Sequence, residues 1–160
     1  MLNRSLHQRQ GPLSAALHRG KRLLFAVISK VGLATYSTFP IFGPLRASVG
    51  VIRNAARVLL IDRSDGRGFS FPGGLAFFWE TAEQALVREI LEETGLRVRK
   101  SIPLFTYSAA NEIPCTITVF EVEADGELAE SWEGSPCWLV LTEMRSSLLP
   151  SQRSIVDRLL

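Results

Sequence analysis

The stretch from Gly74 to Leu96, GLAFFWETAEQALVREILEETGL, decides how this chain is read. Its second half is bounded like a helix. Thr81-Ala82-Glu83-Gln84 has the form of a capping box, in which the Thr81 hydroxyl serves the third helical N–H and Gln84 reaches back. Gly95 stands where a left-handed C-terminal cap is wanted, so the spacing predicts a helix over 82–94. At about 100° per residue, with Glu89 at zero, Glu93 falls at about 40° and Glu92 at about 300°. On the same wheel Leu86, Ile90, Val87 and Leu91 occupy about 60° to 200° and form the expected core stripe. Three glutamates therefore share an arc expected to lie opposite the buried one. Ala82 and Ala85 fall on the glutamate side, small enough to let something approach.

Like charges at i, i+3 and i+4 destabilise an isolated helix unless something offsets them. A solvated acidic face is the ordinary explanation for such a pattern. The neighbourhood argues for a different one. Pro72-Gly73-Gly74 stands just upstream, where glycines let a backbone approach a ligand closely, and Glu80 adds a fourth carboxylate before the helix. Clustered carboxylates suit a hard divalent cation, and magnesium in particular takes a few carboxylates, waters and substrate phosphates.

Gly74, five residues, Glu80, seven residues, then Arg88-Glu89-Ile90-Leu91-Glu92-Glu93-Thr94-Gly95-Leu96 resembles the Nudix box at every fixed position. The motif covers 23 residues, and the strands and terminal helix around it resemble the rest of a Nudix domain over 48–160. The resemblance implies an α/β fold, the Nudix-type α/β/α sandwich with a mixed central sheet. It implies Glu89, Glu92 and Glu93 as ligands of Mg²⁺, with Mn²⁺ as a substitute, and a backbone contact from Gly73 beside the metal. Glu80 and Arg88 would pair to tie the loop to the helix, and Gly74 would let the substrate loop fold over it. The implied reaction is hydrolysis of a diphosphate bond in a nucleoside diphosphate linked to another moiety, such as a nucleoside triphosphate or a nucleotide sugar. Metal-bound carboxylates supply the positioning and charge neutralisation that phosphoryl transfer needs. Two other functions stand beside it: a nucleotide-binding module that keeps the fold without turnover, and, motivated by residues 19–47, a membrane-associated hydrolase of a lipid-linked diphosphate.

A base must take the proton of the attacking water. Glu89 is one candidate. The acidic loop of Glu127, Glu130 and Glu133 before Trp138 is the other source, and Glu133, just ahead of a predicted strand, ranks first in it. The loop of the motif departs from the commonest family pattern, which has a Glu and a Gly where this chain has Phe77 and Trp79. The run Leu75-Ala76-Phe77-Phe78-Trp79 is expected to pack in the core, with a wall against a base or apolar group as the alternative. The downstream proline or tyrosine by which family members declare substrates is absent at the expected offsets, so the specific substrate is not read from the sequence.

The rest of the chain reads as one domain with a distinct front. Its 160 residues are 46% hydrophobic and 21% charged, an ordinary globular profile. Nine of the eighteen Lys and Arg precede Asp62, where there is no acidic residue at all, and all sixteen acids follow. Residues 1–47 thus form a basic, partly apolar extension ahead of a body at 48–160. The extension is expected to pack on the domain or on a second copy in a homodimer. Peripheral membrane contact through residues 19–47, or a cleaved targeting sequence, are the alternatives. Lys30, Pro40, Gly43 and Pro44 interrupt its apolar run, which makes a spanning helix marginal. The location expected is cytoplasmic, with membrane association as the alternative, and no nucleic-acid partner is expected.

Cys115 and Cys137 lack metal or redox spacing and read as buried thiols. The only histidines, His7 and His18, lie in the extension, so the body must work with carboxylates, Lys, Arg and hydroxyls. Strands are expected at 48–54, 57–62, 69–71, 97–100, 104–108, 115–123 and 137–141, with a closing helix over 150–160. Strands around one central and one terminal helix point to an α/β or α+β sandwich.

Overall fold

The computed structural model describes residues 45–109 and 114–160. The expectations for the basic extension therefore fall outside the described residues, apart from its last three positions. Seven strands form one mixed sheet: β1 (Leu45–Asn54), β2 (Arg57–Arg63), β3 (Phe69–Ser70), β4 (Gly73–Leu75), β5 (Arg97–Ala109), β6 (Cys115–Asp125) and β7 (Gly134–Val140). Helix α1 (Ala82–Thr94) separates β4 from β5, a short α2 (Leu141–Met144) follows β7, and α3 (Arg153–Leu159) closes the chain.

The sheet runs β3-β2-β1-β6-β5, with β4 on β1 and β7 on β2. β1 is the organising strand. It pairs in parallel with β6 from Leu45–Cys115 to Ile52–Val122, while its other edge is shared between two antiparallel partners. β4 takes Ala47 to Val49, and β2 takes Arg53 and Asn54. The changeover leaves Gly50 between them, its N–H donating to the Pro72 carbonyl at 2.8 Å.

Strand alternation sends side chains to both faces, and both faces are covered. Val49, Val51, Leu60, Phe71 and Val119 face one core with Ile155 and Val156 of α3. Ile52, Leu59, Phe120 and Val122 face the other with Leu86, Ile90 and Leu96 around α1. The result is the α/β/α sandwich with a mixed sheet that the resemblance implies.

Helix α1 keeps the expected ends. Thr81 accepts from the Gln84 N–H while Gln84 Oε1 accepts from the Thr81 N–H, and Gly95 closes the helix on the Leu91 carbonyl. The expected core stripe needs correction. Leu86 and Ile90 are fully buried, but Val87 and Leu91 are 42% and 49% exposed. The buried arc instead turns toward the glutamates, taking in Ala85 and Glu93, while Thr94 stays buried within the expected stripe. Ser48, buried on β1, donates to the Ala82 carbonyl at 2.6 Å and draws that side of the helix onto the sheet.

Other expectations shift in instructive ways. The two strands expected at 97–100 and 104–108 are one strand, β5, with register irregularities at Val98/Lys100 and Pro103/Phe105. β5 lies at the edge, where a proline costs no ladder bond on the open side. β7 begins at Gly134, three residues before the expected start, because its pairing with β2 runs from Val140 back to Gly134. Leu141 therefore opens α2 rather than ending a strand, and the closing helix is preceded by a 3₁₀ turn over Pro150–Gln152.

The corrected helix face makes a contrast that hydrophobicity alone does not. Ile90→Ala is expected to lower unfolding free energy by about 2–5 kcal/mol, and Leu91→Ala by less than about 0.5, read from denaturant midpoints. Equal losses would restore the original stripe.

Candidate active site

The site is assembled where the β4 turn meets the inward side of α1. Phe71 is fully buried, and its N–H donates to the side chain of buried Gln152 at 2.7 Å, which fixes the chain entering Pro72-Gly73-Gly74. Gly73 has φ of 142°, a region that side-chain-bearing residues rarely adopt, and its N–H donates to Glu93 Oε2 at 2.7 Å. At Gly74 the constraint is space. A Cβ there would lie 2.5 Å from Glu89 Oε1, so only glycine lets the Glu89 carboxylate sit against the turn.

Arg88 ties loop and helix together. Its Nε and Nη2 donate to both oxygens of Glu80 at 2.8 and 2.9 Å, a bidentate pair. Nη1 donates to Glu89 Oε1 at 2.7 Å and lies 3.5 Å from Glu92 Oε2, while Nη2 also reaches the Leu75 carbonyl at 3.0 Å. The guanidinium holds the Glu80 carboxyl well down, at about 2, and Glu80 with Glu89 raises the Arg88 pKa in return. Glu80 also accepts from the Phe77 N–H at 2.9 Å, which closes the loop on itself.

Glu93 is the buried member, 3% exposed. Burial pushes its carboxyl up to about 10, and a hydrogen bond with the Glu133 carboxyl adds to the rise against the opposing Gly73 N–H. Glu89 is raised as well, by burial first, with the Arg88 pair working against it. Glu92, by contrast, projects toward solvent, its side chain 59% exposed.

Of the three loop acids considered as base, Glu133 is the one brought to the helix. Its carbonyl accepts from the Ser64 N–H at 2.8 Å and its N–H donates to Ser131 Oγ at 3.2 Å, so the residue is anchored at the end of β2. Glu130 instead accepts from Ser135, and Glu127 lies exposed. The β2 end also delivers a residue that the sequence reading passed over. Arg63 pairs across the sheet with Gly134, next to Glu133, and is gripped by Asp65 through Nε and Nη2 at 3.1 and 2.7 Å. Burial opposes its charge, but Asp65, with Glu133 and Glu93 nearby, leaves its pKa raised. Its only signal in the sequence was its place directly after the strand expected at 57–62, before a polar turn.

The donor set fits a hard divalent cation: two half- or fully buried carboxylates and one exposed one, all hard oxygen donors. A buried carboxyl this far from water and next to another acid calls for a compensating positive charge. Among the described residues no three acidic side chains are gathered into a finished cage. Arg88 engages Glu89 and leans toward Glu92, while Glu93 holds to Gly73 and Glu133.

The aromatic run corrects a second expectation. It does not enter the core: Phe77, Phe78 and Trp79 are 47%, 82% and 65% exposed. Phe77 lies instead against Arg88, the guanidinium carbon 4.4 Å from the ring centroid.

Comparison with known proteins agrees with this architecture. The NUDIX domain family model matches residues 44–159, and the chain belongs to the Nudix family. An ADP-ribose pyrophosphatase of Methanocaldococcus jannaschii is 38% identical over 98 residues, which is 59% of this chain and 57% of that protein. An 8-oxo-dGTP diphosphatase of Escherichia coli K12 is 31% identical over 97 residues, 58% of this chain and 70% of its own length. The chain thus spans little more than half of the archaeal relative. In three dimensions, a MutT NUDIX hydrolase from Burkholderia pseudomallei superposes with a TM-score of 0.65 at 23% identity, covering 73% of this chain and 98% of that one, a likeness of fold. Nudix hydrolases generally need a divalent metal.

The protonation of Glu93 makes stability depend on pH. In the folded, cation-free protein Glu93 keeps its proton up to about 10, whereas in the unfolded chain it is released around the ordinary 4.5. The folded state therefore binds more protons between those values, and its stability is full below pH 4.5 and falls as pH rises toward 10. Glu93→Gln, neutral throughout, is expected to melt higher than the wild type at pH 8 without divalent cations and to flatten that decline. A variant that melts no higher at pH 8 would contradict the assignment of a buried, unfavourable carboxylate.

Proposed function

We propose that the chain is a Mg²⁺-dependent pyrophosphohydrolase that cleaves a diphosphate bond in a small nucleotide. The observation that carries the reading is the apposition of Glu133, from one element, to Glu93 and Glu89, from another, around the Gly73–Gly74 turn. Substrates of the class are nucleoside triphosphates and nucleotides joined through a diphosphate to a sugar. The two relatives named for ADP-ribose and 8-oxo-dGTP support that class.

Glu89, Glu92 and Glu93 would hold the cation, with Mn²⁺ able to replace Mg²⁺. When bound, such an ion neutralises phosphate charge and acidifies a coordinated water. The chain's own part is positional. Gly73 orients Glu93 through its N–H, and Arg88 orients Glu89 while Glu80 keeps Arg88 in place. Glu133 is the general base. It takes a proton from the attacking water as the new P–O bond forms, and the bridging P–O bond breaks to give two phosphorylated products. Its anchoring at Ser64 and Ser131 keeps the carboxylate beside Glu93 rather than in solvent. Arg63, close to both acids, adds a positive charge on the β2 side of the site.

Initial rates on 8-oxo-dGTP, ADP-ribose and the common nucleoside triphosphates, with Mg²⁺ and with chelator, test the reading. Turnover is expected only with the cation. Glu133→Gln is expected to lower kcat by roughly 10²- to 10⁴-fold with little change in KM, the range for loss of a general base. A mild effect would return that role to Glu89. Hydrolysis of none of these substrates, alongside tight nucleotide binding, would replace the enzyme with a binding module.

A further inference from the structure

Three consecutive aromatic rings stand exposed beside the catalytic helix, and nothing in the proposed reaction uses them. They form an ordered stack rather than a loose patch. Arg88 covers one face of Phe77, and Trp79 stacks on the ring at 5.0 Å between centroids and 16° between planes. Phe78 meets Trp79 edge-on at 4.4 Å and 84°. The backbone beneath is held from several sides. Ala76 N–H donates to the Arg46 carbonyl at 2.8 Å, and the Arg46 guanidinium reaches the carbonyls of Phe78 and Glu80 at 3.4 and 3.1 Å. Glu80 N–H donates to the Phe77 carbonyl at 3.0 Å, and Arg88 holds the Leu75 carbonyl.

The stack begins at the guanidinium that grips Glu89. From Glu89 the contacts run through Arg88 to Phe77 and on to Trp79, which with Phe78 keeps most of its surface exposed. An exposed apolar surface of this kind is unfavourable in water unless a ligand covers it, and pre-ordered rings lose little entropy when one does. Flat rings held in place suit flat partners. Aromatic side chains stack on nucleobases whatever the base, because every base presents a π face. A membrane or an aliphatic chain would not require two rings set parallel to one another and braced from Arg88.

We propose that Trp79 and Phe78, with Phe77 behind them, form a stacking subsite for a planar heteroaromatic ring on the far side of the scissile diphosphate. The inference rests on the reading of this site as one that holds a diphosphate. It makes the loop a determinant of specificity, favouring substrates with a base on each side over those with a base on one side only. Phe77 and Trp79 stand where the commoner family pattern has a glutamate and a glycine, neither of which offers a ring.

ADP-ribose and diadenosine diphosphate form a matched pair, differing by the second adenine. Their methylene-bridged analogues, which resist hydrolysis, allow affinity to be measured by calorimetry on the full chain with Mg²⁺, whatever the turnover. The wild type is expected to bind the diadenosine analogue about tenfold more tightly, in line with one base–aromatic stack. Trp79→Ala is expected to erase that preference while leaving affinity for the ADP-ribose analogue unchanged, and Trp79→Phe to keep most of it. No preference in the wild type, or equal weakening of both ligands in Trp79→Ala, would overturn the subsite. So would unchanged binding of both ligands by Trp79→Ala together with loss of vesicle co-sedimentation, which would make the rings a lipid contact. Failure of hydrolysis with the preference intact would count against the enzyme reading alone.

Discussion

One guanidinium holds the glycine turn, the loop after it and helix α1 together. Arg88 binds both oxygens of Glu80 before the helix, one oxygen of Glu89 on the helix, and the Leu75 carbonyl in the loop. Each contact alone is ordinary. Together they oblige the loop to fold back over α1 and set Glu89 against the Gly74 turn, where a side chain would collide with it. Arginine is suited to the task because its planar fork serves several acceptors at once and keeps its charge. Phe77 covers the remaining face, so the brace is sheltered although the loop itself lies at the surface.

Around that brace the site is arranged by contrast. Glu80 is held as a carboxylate by Arg88 and acts as an anchor, while burial and the neighbouring Glu133 raise the Glu93 pKa. Glu133 arrives from the end of β2 and β7, an element with no sequence proximity to the helix, and completes the cluster. The two-sided sheet makes this meeting dependable. β1 carries β4 and the glycine turn on part of its edge and β2 on the rest, so both halves of the site hang from a single strand.

Much of this was legible in the residues. Thr81, Gln84 and Gly95 delimit α1 because capping is local chemistry, satisfied within a few positions of the chain. The Glu80–Arg88 pair came from the family resemblance rather than from local chemistry, and the structure contains it. What failed were readings that assign a side by hydrophobicity. Hydrophobicity places Leu91 and Val87 inward and Glu93 outward, whereas Glu93 is buried and both apolar residues are half-exposed. A functional carboxylate can be buried at a cost that no hydropathy pattern registers. Phe77, Phe78 and Trp79 were expected inside on the same logic and lie outside. Pairings made at long range, such as Gly134 with Arg63 or the single run of β5 past Pro103, depend on partners far along the chain. Local signals do not carry them.

The central claim is that Glu89, Glu92 and Glu93 form one cation site with Glu133 at its side. Anomalous diffraction from crystals of the full chain equilibrated with Mn²⁺ tests it most directly. The account predicts a manganese peak within bonding distance of carboxylate oxygens of Glu93 and at least one of Glu89 and Glu92, with the Glu93–Glu133 hydrogen bond opened. A peak elsewhere, or none with that hydrogen bond still closed at saturating Mn²⁺, would contradict it.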